Sequence, residues 1–203
     1  MKTFIVFILL AIFVTSCQRS DQEYSPIVSH ILDNDYPKLI NAIEHGADVN
    51  LIEQEMTPLL WALSSGASRS DSEYYSVGEI PPVRENIYIL TTLLEAGADP
   101  NLSPSDSALS FPLMKAVYNN RLGSAWLLIR YGADVNKVKS DETALMLAIL
   151  HCHKSMIDLL LKNGSTIDYL DQFGRSAYSL SQERGCSTAL LDEVFSDKGD
   201  ATL

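Results

Sequence analysis

One pentapeptide recurs along this chain, as Gly46-Ala47-Asp48-Val49-Asn50, Gly97-Ala98-Asp99-Pro100-Asn101, Gly132-Ala133-Asp134-Val135-Asn136 and the degraded Gly164-Ser165-Thr166-Ile167-Asp168. A second element stands twenty residues before three of those glycines, as Ser25-Pro26-Ile27, Phe111-Pro112-Leu113 and Thr143-Ala144-Leu145. Thr57-Pro58-Leu59 and Ser176-Ala177-Tyr178 are two further copies of it. Its central residues, 26, 58, 112, 144 and 177, are separated by 32, 54, 32 and 33 positions. An internal period of this length predicts stacked units, each supplying one slice of a shared core.

The apolar pattern says what each unit is. In the fourth copy Leu145, Ala148 and Ile149 fall at helical spacing, and Ile157, Leu160 and Leu161 repeat the pattern. The matching second-helix positions are Leu39, Ala42 and Ile43; Leu90, Leu93 and Leu94; and Ala125, Leu128 and Ile129. Two helices this short cannot bury an apolar face alone, so neighbouring copies must stack. Each Gly after a second helix is the expected left-handed C-cap, and Pro26, Pro58 and Pro112 suit the first helical position. The fifth copy runs from Asp171 through Ala177 to Leu190, Leu191 and Val194 without returning to Gly-Ala-Asp, as a terminal cap would.

With its Thr-Pro-Leu and Gly-Ala-Asp-Val-Asn motifs at a period near 33, the chain resembles the ankyrin-repeat family. The resemblance implies an all-α solenoid of about five helix-turn-helix repeats with short β-turn fingers. Residues 25–195 are read as the repeat domain and 196–203 as a flexible tail. Aligning Gly66 with the turn glycine isolates 67–85 as an insertion inside copy two, carrying Tyr74 and Tyr75. The finger before copy three is three residues longer than its neighbours, with Ser103 to Ser107 at its tip.

The N-terminus carries an independent signal. Lys2 precedes an apolar run from Phe4 to Val14, followed by Thr15-Ser16-Cys17, the layout of a signal peptide over 1–16. The run is too short to span a bilayer as a helix. Val14-Thr15-Ser16-Cys17 resembles the bacterial lipobox, which implies acylation of Cys17, a short tether over 17–24, and attachment to the envelope facing the periplasm. Gln18 in place of aspartate then points to the outer membrane.

Composition narrows the partners. The formal net charge is −11, from 15 basic and 26 acidic residues. Cleavage after 16 removes Lys2 alone among charged residues, leaving 14 against 26 and a net charge of −12. Nucleic acid is a poor partner for such a surface. Beyond Cys17 there are only Cys152 and Cys186. In register Cys152 takes the place of Gly185 and Cys186 that of His153. Helices of adjacent copies lie about 8–10 Å apart, beyond the roughly 4.4–6.8 Å of a disulfide, so two free thiols are expected. His151, Cys152, His153 and Cys186 are ligand types for zinc, but adjacent residues on a turn point apart and the usual spacings are missing. No metal or cofactor is expected. With no Gly-x-Ser-x-Gly elbow and no phosphate loop, neither is catalysis.

The family resemblance implies a protein partner gripped by finger tips and the exposed side of each first helix. The positions so implied are Trp61, Lys115 and Leu147, then Tyr118, Leu150 and His151 one turn on, with Glu53, Glu55, Ser105, Asp106, Lys139, Asp141, Glu142, Gln172 and Phe173 on the fingers. Trp61 is the leading hot-spot candidate because tryptophan dominates binding energetics; Trp126 is expected on the convex side or under a neighbour. Tyr74 and Tyr75 add a contact through the insertion. Bacterial ankyrin-repeat lipoproteins similar to this one include immunity partners of secreted toxins, among them type VI secretion phospholipases. That resemblance implies a monomeric inhibitor occluding a periplasm- or membrane-acting toxin. The alternatives are an envelope scaffold supporting oxidative-stress enzymes, and a thiol or metal protein.

Overall fold

The computed structural model describes residues 24–64, 85–105, 107–186 and 188–199. Cys17, Tyr74, Tyr75 and Asp106 lie outside these residues, as does the insertion up to 84. The first helices of the five copies are α1 (Pro26–Leu32), α3 (Pro58–Ser64), α5 (Pro112–Tyr118), α7 (Ala144–Leu150) and α9 (Ala177–Arg184). The second helices are α2 (Tyr36–Glu44), α4 (Glu85–Glu95), α6 (Leu122–Arg130), α8 (Lys154–Lys162) and α10 (Ala189–Gly199). Each first helix packs on the next first helix and each second helix on the next second helix, giving the two parallel rows of a solenoid. The described chain is an all-α repeat array with one two-stranded hairpin, β1 (Val138–Lys139) and β2 (Glu142–Thr143).

The repeated residues account for this architecture locally. Pro26, Pro58 and Pro112 each open a helix, where a missing N–H leaves no hydrogen bond unmade. The threonine before that position is an N-cap: Thr57 Oγ1 accepts from Leu60 N at 3.3 Å, and Thr143 Oγ1 from Met146 N at 3.2 Å. Ser176 does the same in a full capping box with Ser179. Gly46, Gly97, Gly132 and Gly164 all take φ between +83° and +91°, the left-handed conformation that ends each second helix. Between them the helices bury one continuous core: Leu39, Leu90, Leu93, Ala125, Leu128, Ile157 and Leu160 lie at its centre, almost without exposure.

The polar half of the pentapeptide ties the copies together. Asn50 Nδ2 donates to Gly97 O at 3.1 Å while its Oδ1 accepts from Asp99 N at 2.8 Å. Asn101 repeats this with Gly132 O and Asp134 N, both at 2.8 Å, and Asn136 with Gly164 O at 3.1 Å and Thr166 N at 2.7 Å. Each Asp orients the next Asn by accepting its backbone N–H, at 2.8–2.9 Å. One carboxamide thus serves as donor and acceptor at once, which no carboxylate can do. The degraded fourth pentapeptide is tolerated because Asn136 uses only the backbone of Gly164 and Thr166. Asp168, unable to donate, stands where that array ends.

A second set of ties runs through the turns between paired helices. Asn34, Asn120, Cys152 and Gly185 all take the left-handed conformation there. After Asn34 the next residue, Asp35, accepts from Lys38 N at 3.2 Å, but after the other three it reaches back to the preceding copy. Arg121 Nη1 lies 3.4 Å from Ala62 O, and His153 Nδ1 donates to Val117 O at 3.0 Å. Cys186 occupies the same place and bonds to Cys152, with Cα atoms 5.5 Å apart. The expectation of two free thiols is therefore corrected. Helix spacing was the wrong ruler, because both cysteines sit on turns, and the residue after the turn points along the stacking axis.

Other differences are local. α10 continues to Gly199, beyond the boundary drawn at 195. The longer finger before copy three folds a 3₁₀ turn, Ala108–Ser110, around the buried Ser110 hydroxyl, which lies 2.7 and 2.6 Å from the carbonyls of Ser105 and Ser107. The short fingers are tight hairpins. Glu53 pairs with Met56 and Lys139 with Glu142, while Gln54-Glu55 and Ser140-Asp141 turn the corner with positive φ throughout.

Candidate protein-binding face

The finger side of the solenoid carries a row of exposed apolar residues at one register position. Ile52, Val138 and Leu170 each stand two places after the last residue of a pentapeptide (Asn50, Asn136 and Asp168) and are 54%, 40% and 58% exposed. Ser103 fills that position in the remaining finger. Phe173, at the last finger tip, is 71% exposed, the highest of the exposed large hydrophobics, with the Arg175 guanidinium 5.0 Å from its ring centre. Sequence reasoning found Phe173 but passed over Ile52, Val138 and Leu170. The signal was available: an apolar side chain returns at a fixed offset from the ladder residue, where the chain leaves the core.

The charged residues between these apolar ones are held in place. Glu53 accepts from Ser25 N at 3.2 Å and from Ser25 Oγ at 2.6 Å, so its carboxylate tethers copy one to the following finger. Asp141 accepts from Tyr169 OH at 3.1 Å, joining the fingers of copies four and five. Burial raises the Tyr169 pKa, and the neighbouring Asp141 carboxylate raises it further. Asp171 bonds the Arg175 guanidinium at 2.8 Å through Nε and Nη2. Partial burial pushes the Asp171 pKa up, but hydrogen bonds from Arg175 and Phe173 more than offset this and hold it below the usual carboxylate value. Lys139 and Lys137 each lie 5.5 Å from the Phe111 ring centre. Glu55 is exposed at its hairpin tip, Gln172 is exposed, and Glu142 is half-buried in β2.

The first-helix positions divide. Leu147 is 4% exposed, which removes it from the binding face. Its position, three residues past the helix-opening residue, faces the adjacent first helices, as buried Leu180 confirms one copy later. Trp61 occupies the equivalent place in α3. It is half-buried, packs edge-on against Tyr24 with ring centres 5.4 Å apart, and its buried Nε1 has no hydrogen-bond partner among the described residues. Lys115, at that place in α5, is half-buried. Trp126 is on the second-helix row, 37% exposed, under the Arg130 guanidinium.

One turn further on, the surface opens. Tyr118 is exposed and meets His151 edge-on at 5.2 Å between ring centres. His151 stacks on His153 at 5.5 Å, and Leu150 lies half-buried beside them. Burial lowers the His153 pKa; the bond to Val117 O opposes this and the charge of His151 adds to it. His153 therefore stands neutral at neutral pH. Cys152 and Cys186, joined to each other, have no thiolate to offer a metal.

This geometry is a rigid, stacked platform presenting apolar and aromatic side chains from successive copies. A family profile described as Ankyrin repeats (3 copies) matches residues 83–192, more than half of the chain. The matched stretch begins just before α4 and ends in α10, so it takes in the ladder residues Asn101 and Asn136, the hairpin β1–β2 and the exposed row from Val138 to Phe173. Repeats of this family are protein-interaction modules, and this chain belongs to the ankyrin-repeat family.

Proposed function

We propose that this chain is a non-catalytic binding protein of the bacterial envelope, anchored through Cys17, which grips and occludes a toxin acting in the periplasm or at the membrane. The observation that carries the binding part is the row Ile52, Val138 and Leu170, exposed on the fingers at a repeated register position, with Phe173 exposed beside it at the last finger tip. Water-exposed apolar side chains in line on rigid elements favour a protein surface that covers them together. The disulfide between Cys152 and Cys186 supports an oxidising compartment, where such bonds persist. The signal-like sequence at 1–16 and the Cys17 that follows it support the anchor. An inhibitor at the membrane surface needs no catalytic group; it needs a stiff face and a fixed address.

The test is protection. Produced with its leader in a susceptible cell, the protein should protect against a toxin encoded beside its gene, and the purified pair should bind in the nanomolar range. Leu170→Asp combined with Phe173→Ala should weaken binding at least about thirtyfold, the loss typical of hot-spot truncation, with thermal stability nearly unchanged. Undiminished protection by that double variant would sink the finger-face reading, and no binding to any neighbouring toxin at micromolar concentration would sink the inhibitor reading. Cys17→Ala should abolish incorporation of a palmitate analogue; equal labelling of both forms would remove the anchor.

A further inference from the structure

The second-helix row carries aromatic side chains that neither the core nor the fingers use. Tyr36, Tyr88 and Trp126 come one each from α2, α4 and α6, and all three are exposed. Tyr36 and Tyr88 meet with ring centres 5.9 Å apart, and Thr92 Oγ1 donates to Tyr36 OH at 3.3 Å, so the first two copies share one aromatic surface. This row differs in chemistry from the finger row. Ile52, Val138, Leu170 and Phe173 have no polar atom in their side chains, whereas each of these three joins an apolar body to a hydroxyl or an indole N–H. Side chains of that kind settle where one end is apolar and the other wet, as at the boundary between lipid and water.

The charges are distributed to match. Every charged residue of α2, α4 and α6 stands in the first or last turn of its helix, which leaves the middle turns uncharged. In copies three and four the exposed charges of the row are positive. The Arg130 guanidinium lies 4.8 Å from the Trp126 ring centre, Lys162 repeats the place of Arg130 at the end of α8, and Lys154 opens α8. Asp158, the acid of α8, is half-buried. An Arg stacked on an exposed Trp keeps its stem on apolar surface and its head group in the polar layer. On a chain of net charge −11 such a cluster is complementary to anionic head groups and not to a second copy of the same acidic chain.

We propose that the second-helix face of copies one to four rests on a bilayer containing anionic lipid, with Tyr36, Tyr88 and Trp126 at the level of the head groups and Arg130, Lys154 and Lys162 against lipid phosphates. The inference rests on the envelope reading for the bilayer itself and adds the face that meets it. A lipid on Cys17 gives the protein an address but no orientation. Lying on its second helices, the solenoid keeps the first-helix row and the fingers clear of the lipid and open to a protein partner.

Tryptophan quenching tests this, because the chain has two tryptophans and they stand on different rows. The protein purified from the envelope is mixed with vesicles of phosphatidylethanolamine and brominated phosphatidylglycerol. In a Trp61→Phe variant, which leaves Trp126 as reporter, emission should shift to the blue and be quenched. In a Trp126→Phe variant, which leaves Trp61, it should stay as it is with unbrominated lipid. Lys154→Gln combined with Lys162→Gln should reduce the quenching of Trp126 without lowering the thermal midpoint. Flotation with the vesicles, read separately, reports the anchor. Protein that floats with Trp126 unquenched would overturn this inference and leave the anchor standing, and quenching without flotation would do the reverse. Equal quenching of both tryptophans, or quenching indifferent to the lysine pair, would also overturn it. So would a Trp126 shift that follows protein concentration and not lipid, by giving the face to a second copy.

Discussion

Cys152 and Cys186 lie 5.5 Å apart, Cα to Cα, and their disulfide closes the last copy onto the one before it. It spans 34 residues of chain, a loop for which the chain-entropy argument gives about 3–4 kcal/mol. Stability in a repeat array is divided among neighbouring interfaces, so the loss on reduction should fall on α9 and α10 first. Reductant, or Cys152→Ser, should make the segment after Asp168 cleavable by trypsin while the copies before it stay protected. Uniform resistance with and without reductant would count against the bond.

Leu93 and Leu160 hold matching places on second helices and are fully buried. Truncating either to Ala should cost about 2–5 kcal/mol, the range for a large-to-small core change. Urea unfolding gives the number. A loss under about half a kcal/mol, usual for surface sites, would put the register in error.

Asn101 bonds both Gly132 O and Asp134 N, so Asn101→Ala removes two hydrogen bonds between copies two and three. The expected cost is about 1–3 kcal/mol. Asn101→Asp is the sharper variant: it keeps the acceptor, loses the donor, and sets a negative charge against the Gly132 carbonyl. It should be at least as destabilising as Ala by thermal unfolding.

His153 gives the junction between copies three and four a pH dependence. Burial lowers its folded pKa below the ordinary 6.5, so below that pH the unfolded chain binds a proton that the folded chain does not. Its contribution is fully present above pH 6.5 and falls as the pH drops from there toward the lowered folded value. Comparing urea midpoints at pH 7.5 and 5.5, His153→Asn should show a smaller acid loss than the unaltered protein. An equal loss in both would remove His153 as the cause.

Legible in the residues alone is whatever the repeat writes into each copy separately. The glycines that cap second helices, the prolines that open first helices and the apolar positions from Leu39 to Leu160 depend on φ preferences and helical period, which are local properties of each copy. Repetition then makes the stacking a necessity, since one helix pair cannot bury its own apolar face. The binding face is less legible. Trp61 and Leu147 share a register place, and only the packing of neighbouring first helices shows that the place faces inward, leaving Leu147 buried and Trp61 against Tyr24. Ile52, Val138 and Leu170 look like core residues by hydropathy, and their exposure follows from a chain that has already left the core at the ladder residue. The disulfide needed the direction of one side chain after a left-handed turn, and spacing along the sequence carries no such direction. Periodicity fixes which residues are equivalent; only the stacked neighbour decides which way each equivalent residue points.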